Sequence, residues 1–453
     1  MAMNETSASG SPAVHYVRTE EVASMPPPSN AVGPVAWIKQ NLFSSIPNTI
    51  MTLIGVYLLY LVIPPLIKFA IIDAVWTGEG REACATEQQG GVQPNGWFGW
   101  CYAFVDAKMG QFIYGRYPFE ERWRIDTVFI IGILGLVPLL IPIAPFKTLN
   151  TVFMLGAFPV IALILLTGGN FDIAFWVWAL TAIVFAGLAV LTLMPVFAAQ
   201  ATVSDVMPGL RSLAIGFAVV AFVFILLGID FGLEFVETPL WGGVLVTLVI
   251  AITGIVASLP IGIVLALGRR SELPIVKFFS IVFIEFWRGI PLVTVLFMSS
   301  VMLPLFLPEG VTFDKLLRAL IGVALFASAY MAEVVRGGLQ AIPKGQYEGA
   351  MALGLPYWRM MNLIVLPQAL KLVIPGIVNT FIGLFKDTTL VLIIGLFDLL
   401  GVIQLSFTDA NWSTPVTSYS GYFFAALFYF VFCFGMSRYS MFMEERLHTG
   451  HKR

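Results

Sequence analysis

The chain has 453 residues, 58% of them hydrophobic and only 11% charged, with a mean hydropathy of +0.88 and a formal net charge of −2. Soluble domains do not combine such length with so little charge, and the balance excludes a nucleic-acid partner, which needs a basic face. The three histidines and three cysteines have no metal-ligand spacing, so no metal site is expected.

In chain order, the first thirty-five residues are polar and rich in Ser and Pro and read as a disordered tail, and residues 1–49 as a whole are expected to be a cytoplasmic N-terminal tail. No basic n-region leads into an apolar stretch, which argues against a cleaved signal peptide. Crossing the hydrocarbon core takes about 20 apolar residues at ~1.5 Å each. On that template, spans are predicted at Ile50–Ile71, Thr127–Ala144, Thr151–Thr167, Ile173–Phe197, Leu213–Leu227, Trp241–Leu267, Ser280–Leu307, Leu317–Val335, Leu372–Leu400 and Tyr422–Met441. The expected fold class is an all-α integral membrane protein of about ten transmembrane helices.

The polar loop 73–126 holds Cys84 and Cys101. An oxidising compartment permits a disulfide between them, and two unpaired thiols in a small folded cap fit the spacing equally well. Cys433 lies in the last span and reads as a buried apolar residue. Trp97, Trp100, Trp123, Trp241 and Tyr422 fall near predicted membrane boundaries and are expected to form an aromatic belt.

Orientation follows from Lys and Arg in the short connections. Arg269 and Arg270, the connection with Lys344 and Arg359, and the tail 442–453 fall on one side, which is read as cytoplasmic and places both termini inside. Loop 73–126 is then external and periplasmic. It carries Arg81, Lys108, Arg116, Arg122 and Arg124 against the trend, and its length weakens the rule there.

Character changes near Asp230. Residues 50–230, with about five spans, have hardly any charge inside the apolar runs; residues 241–441 carry charge near or within them. Glu285 and Arg288 are three apart on one helix, as are Glu333 and Arg336, and each pair can bond along a helix face. Such pairs either anchor helix ends or line and gate an exit, with Gly289 and Pro291 supplying a place to bend. Lys386 and Asp387 sit inside the Leu372–Leu400 run beside Thr388 and Thr389. That set offers opposite charges and hydroxyls to a zwitterionic amino acid, or neutralises other charges at a helix break or a subunit interface.

Segment 342–367 interrupts the apolar runs. Pro343 suits a first helical turn, Tyr347, Ala350 and Met351 share a helix face, Gly354 can end the helix left-handed, and Pro356 forbids continuation. A short amphipathic helix, a sharp turn and a second helical piece from Tyr357 toward Pro367 are predicted, too short and too polar to span.

This segment resembles the cytoplasmic signature Glu-Ala-Ala-x3-Gly-x9-Ile-x-Leu-Pro of ATP-binding-cassette importer permeases. Glu348, Ala350, Gly354, Ile364, Leu366 and Pro367 match, and Gly349 stands where Ala is usual. The blocks "FIEFWRGIPLVTVLF" and "LFKDTTLV" are similar to the polar amino-acid branch of that family, and the long N-terminal extension is similar to its larger, general or acidic amino-acid permease chains. The resemblance implies a type I importer permease core over 241–441 and a coupling role for segment 342–367. It also implies a bacterial inner-membrane subunit that pairs with a second homologous permease chain, two ATPase subunits binding ATP and Mg, and a periplasmic binding protein. L-Glutamate, glutamine, aspartate and asparagine are the implied substrates. The chain has no G-x-x-x-x-G-K-[ST] loop, so it is expected to be a transport subunit with no cofactor of its own rather than an enzyme. A secondary transporter should show an internal repeat, and none is seen; a non-transporting scaffold would leave the signature unexplained.

Overall fold

The computed structural model describes residues 33–197, 202–306 and 313–447. Residues 1–32, 198–201, 307–312 and 448–453, with His15, His448 and His451, lie outside the described residues. Two compact units divide at Ile72 and Asp73.

The first unit contains α1 (Pro34–Asn41) and α2 (Ile46–Ile67), the latter closing in a π turn at Lys68–Ile72. Pro34 starts α1 where a missing N–H costs nothing. Ser45 caps α2 by accepting a hydrogen bond from the Asn48 N–H at 3.4 Å. The expected tail 1–49 is therefore helical over part of its length, and the first span begins at Ile46 because a cap and a Pro at the second helical position start it there.

The second unit opens with a cap built on α3 (Tyr102–Tyr114) and continues with α4 (Arg122–Leu140), α5 (Lys147–Val152), α6 (Phe158–Thr167), α7 (Phe175–Phe197) and α8 (Val203–Gly228). Then come α9 (Gly243–Arg269), α10 (Pro274–Gly289), α11 (Leu292–Phe297) and α12 (Lys315–Ala341). The remainder is α13 (Lys344–Ala352), α14 (Tyr357–Met360), α15 (Leu366–Leu372), α16 (Ile374–Asp387), α17 (Leu399–Ser406) and α18 (Thr417–Leu447). Among the described residues nine helical runs are long and apolar enough to cross a membrane, or ten if α10 and the run that follows it count as one. Helices are the only open-ended way to pair every backbone group inside lipid.

Two predicted spans are broken. Ser280–Leu307 bends by 102° between α10 and Leu292–Phe306. Pro291 lacks an N–H, and Ile290 before it is held extended at φ −113°, ψ 135°. Leu372–Leu400 is also not one helix: α16 starts at Ile374, tightens to a 3-10 run over Thr388–Ile394 and stops at Gly395, and α17 restarts behind Asp398.

At the centre, α9 and α12 pack along most of their length. A methyl group on Gly262 would fall 2.8 Å from the Met331 Cβ, so only glycine allows the approach. α12 buries one face, which includes Ala319, Val323, Ala327, Met331 and Val335, and leaves Leu317, Ile321 and Tyr330 exposed.

The composition change near Asp230 does not coincide with a break in packing. Tyr117, Ile125, Val128 and Leu166 share one apolar cluster with Trp241, Leu245 and Leu296. Arg124, 1% exposed, pairs with Glu121 at 2.6 Å and donates to the Glu234 carbonyl at 2.7 Å. The aromatic belt is corrected likewise: Trp100 and Trp241 are buried, Trp100 inside the cap against Trp76, Tyr102 and Phe423 of α18, and Trp241 in the cluster that holds Tyr117 and Ile125.

Within the cap Cys84 and Cys101 form a disulfide with Cα atoms 5.8 Å apart. The Cys101 N–H donates to Ser420 Oγ of α18 at 2.8 Å, the Arg81 N–H to the Asn411 carbonyl at 2.7 Å, and the Lys108 ammonium pairs with Asp409. Phe104 and Phe112 are fully buried, each burial worth roughly 1.5–3 kcal/mol relative to water. The Lys108 hydrogen bond, with that of the Asn411 N–H, holds the Asp409 carboxyl below its ordinary value of 3.8. A carboxyl lowered in the folded state stabilises above its ordinary value and stops doing so as pH falls through the lowered one. The chain should therefore have a higher thermal midpoint than Asp409→Asn at pH 6 in detergent, and the gap should close on acidification; a gap independent of pH would show that the carboxylate charge is not what holds the cap.

Candidate functional site

Segment 342–367 folds as its punctuation predicts. α13 starts after Pro343, Gly354 adopts φ 72°, and Pro356 precedes α14. The Leu355 N–H donates to the Ala350 carbonyl at 3.2 Å and the Gly354 N–H to the Met351 carbonyl at 2.9 Å, closing the left-handed turn. A π turn at Met361–Val365 leads through Leu366 and Pro367 into α15. Ala350 is buried in a cluster with Ala266, Met331, Leu339, Met360 and Val365, while Tyr347, Ile364 and Leu366 pack around it. Glu348 and Gly349 face outward, as do Met351, 59% exposed, and Leu353, 78% exposed. The face expected to join Met351 to Tyr347 and Ala350 is narrower than predicted, because one turn of α13 touches the bundle and the next overhangs it.

Next to this segment lies a five-membered charge network. Glu333 pairs with Arg336 at 2.5 Å, with Arg269 at 3.0 Å and with Arg288 at 3.6 Å. Glu285 pairs with Arg269 at 2.8 Å. The expected Glu333–Arg336 pair is present, whereas Glu285 and Arg288 do not bond each other: α9 brings Arg269 between them, and Arg288 turns to Glu333 and lies 5.7 Å from the centre of the Tyr330 ring. Gly289 and Pro291 form the bend directly behind Arg288. One carboxylate thus ties three helices together at the end of the bundle that carries Arg269.

Lys386 and Asp387 end α16, the lysine exposed and the aspartate half-buried. Thr388, which is buried, donates to the Phe385 carbonyl and Thr389 to the Lys386 carbonyl, both at 2.9 Å, so only the partly exposed Thr389 hydroxyl keeps acceptor capacity for a ligand. Close by in sequence is a buried polar knot. Asp398, fully buried, accepts from the Leu400 and Gly401 N–H groups at 3.2 and 2.9 Å and from the Tyr429 hydroxyl at 3.0 Å. The Leu399 N–H donates to Thr247 Oγ1 at 3.0 Å. α9, α17 and α18 meet there.

Residues 258–448 match the family model described as binding-protein-dependent transport system inner membrane component. The inner membrane amino-acid ABC transporter permease YhdY of Escherichia coli (strain K12) is 44% identical over 95% of this chain and 99% of its own length. The chain belongs to the amino-acid ABC transporter permeases. BztC of Rhodobacter capsulatus, a glutamate/glutamine/aspartate/asparagine transport system permease protein, is 40% identical to this permease over 96% of the chain and 99% of its own. The probable glutamine ABC transporter permease GlnP of Bacillus subtilis (strain 168) is 33% identical over 46% of this chain and 93% of its own. A solved structure of an amino acid ABC transporter with histidines covers 45% of the permease and 92% of that chain, at 28% identity and a TM-score of 0.40. The permease is an all-helical membrane protein with a type I importer core.

Sequence reasoning missed Arg269, Arg270 and Asp398. The arginines entered only as markers of sidedness. Asp398 stands directly before an apolar run, the position of a helix N-cap, and that signal was hidden by reading through it as a single span.

Glu333→Gln should cost the permease about 1–3 kcal/mol, since three guanidinium groups lose their shared negative charge, while Glu285→Gln, at a side chain 55% exposed, should cost no more than about 1 kcal/mol. Denaturation in detergent ranks the two, and equal losses would contradict a network centred on Glu333. A Cβ on Gly349 would meet nothing within 4 Å, so Gly349→Ala should stabilise α13 by about 0.5–1 kcal/mol and leave uptake intact.

Proposed function

We propose that this permease is the larger membrane subunit of an importer for L-amino acids, with glutamate, glutamine, aspartate and asparagine as substrates. It pairs with a second homologous permease chain, sits on two ATPase subunits that bind ATP and Mg, and receives substrate from a periplasmic binding protein. Both termini and the Arg269 end face the cytoplasm, and the cap over 73–126 faces the periplasm. The substrate reading is supported by BztC, a glutamate/glutamine/aspartate/asparagine permease that is similar along nearly the whole chain.

The observation that carries the coupling role is the overhang of α13 and its turn. Met351 and Leu353, with Trp358 at 65% and Leu363 at 68% exposure, form an apolar surface around a rigid left-handed corner, next to the exposed Glu348. An apolar cluster at the basic end of a membrane bundle fits a protein groove better than water. A partner that grips the corner moves α12 and α15 on either side of it, which is how nucleotide closure outside this chain can tilt the bundle between two accesses. In this reading Lys386 meets a substrate carboxylate, Asp387 its ammonium, and the Thr389 lone pairs accept from the ammonium, while the buried Thr388 holds the helix end through its bond to the Phe385 carbonyl.

Three variants separate these roles in proteoliposomes that hold the full partner set. Gly354→Trp and Glu348→Lys should abolish ATP-dependent uptake and co-purification with the ATPase. Asp387→Asn should abolish uptake while the ATPase subunits stay bound. Undiminished uptake in both coupling variants would reduce the segment to a connector, and normal uptake in Asp387→Asn would remove that residue from the pathway.

A further inference from the structure

Arg270 caps the C-terminus of α9 and reaches across to the coupling segment. Its Nη1 donates to the Leu339 carbonyl at the end of α12 at 2.9 Å and to the Tyr347 hydroxyl of α13 at 3.0 Å. The Tyr347 hydroxyl in turn donates to the same Leu339 carbonyl at 3.2 Å, and the guanidinium carbon lies 5.5 Å from the centre of the Tyr347 ring. Three elements are thus tied at one point, on the wall of a cleft of about 390 Å³ that Lys344, Glu348 and Met351 also line.

The tie matters because α13 cannot hold its own orientation. It has nine residues, no side-chain cap at Pro343 and a single buried residue, Ala350. Isolated helices shorter than about 12–15 residues are marginal. The other side-chain hydrogen bond from α13, Gln368 Nε2 to Gln346 Oε1 at 3.1 Å, joins it to α15, the segment's own return, and leaves α9 out. The adjacent Arg269 turns the opposite way, to Glu285 of α10 and Glu333 of α12. Consecutive arginines on one helix end therefore grip the coupling segment on one side and the ion-pair network on the other.

We propose that Arg270 is a positioning residue for coupling: it holds Tyr347 of α13 against the end of α9, so that motion imposed on the coupling segment is transmitted to α9 and not lost in a loose short helix. This rests on the coupling role proposed above. Arginine suits the position because its planar fork hydrogen-bonds at its edge while its face lies over a ring; the lysine ammonium does not combine the two.

The test has one arm on the full chain alone and one on the assembled importer. In detergent, Arg270→Ala should speed amide hydrogen exchange across Lys344–Ala352 about tenfold relative to the unmodified chain. In proteoliposomes with the partner permease, ATPase and binding protein, the same variant should keep the ATPase subunits bound. Labelled L-glutamate imported per ATP hydrolysed should then fall about tenfold. Arg270→Lys should fall between the two, and adding Tyr347→Phe to Arg270→Ala should cost little more. Tyr347→Phe alone, which removes one oxygen, carries the same two measurements if Arg270→Ala does not fold. Unchanged exchange, an unchanged import-to-hydrolysis ratio, or loss of the ATPase from Arg270→Ala would each overturn the proposal. If the unmodified chain itself fails to bind the ATPase subunits, the coupling role falls first, and the exchange result alone then reports whether Arg270 holds α13.

Discussion

The close approach of α9 to α12 is the contact on which the remaining geometry depends. Gly262 lets the Met331 side chain and the Ala332 backbone in, and Gly254, whose added Cβ would sit 2.7 Å from Leu384, seats α16 against the same helix. In lipid there is no hydrophobic drive between helices, so such small-residue faces and the dispersion contacts they allow do the joining. At one end of α9, Gly243 donates to the Phe397 carbonyl beside the knot of Asp398; at the other, Arg269 and Arg270 reach out to three neighbouring elements, α10, α12 and α13. α9 is the beam to which both a polar interior and the coupling segment are attached.

Breaks in the spanning helices follow a common rule. Wherever the chain stops being helical near the bilayer, something must pair the freed N–H and C=O groups. The restart at α17 is paired by Asp398 and Thr247, and Asp398 is itself held by Tyr429. The bend at Gly289–Pro291 is placed where proline has no N–H to lose, with Arg288 beside it drawn into the Glu333 network. Irregular backbone is thus confined to places where other helices supply partners, and these are also the places where charged side chains gather.

Much of this was legible in the sequence where a rule is local. Span positions follow from apolar length, and the shape of segment 342–367 follows from Pro343, Gly354 and Pro356, each of which restricts its own backbone. What escaped was set by neighbours distant along the chain. Spacing along one helix suggested Glu285 with Arg288, but the partner of Glu285 arrives from α9. Trp100 and Trp241 have the composition of interfacial anchors and are buried by partners distant in sequence: Trp100, within the cap, packs on Phe423, and Trp241 shares a cluster with Tyr117 and Ile125. The break at Asp398 was invisible to a hydropathy count because a single capping carboxylate, fully hydrogen-bonded, hardly changes the average over a long apolar run.

The cap has a consequence for how the molecule is made. Cys101 is held by Ser420, 319 residues later, and Lys108 by Asp409, 301 residues later. At roughly 5–20 residues per second a ribosome needs about 15–60 s to traverse that interval. During it α3 and the disulfide-forming loop must wait, with Phe104 and Phe112 lacking their Trp412 and Phe424 neighbours. Through that interval the nascent permease has an uncapped end, and the hairpin of α17 and α18 is what closes it.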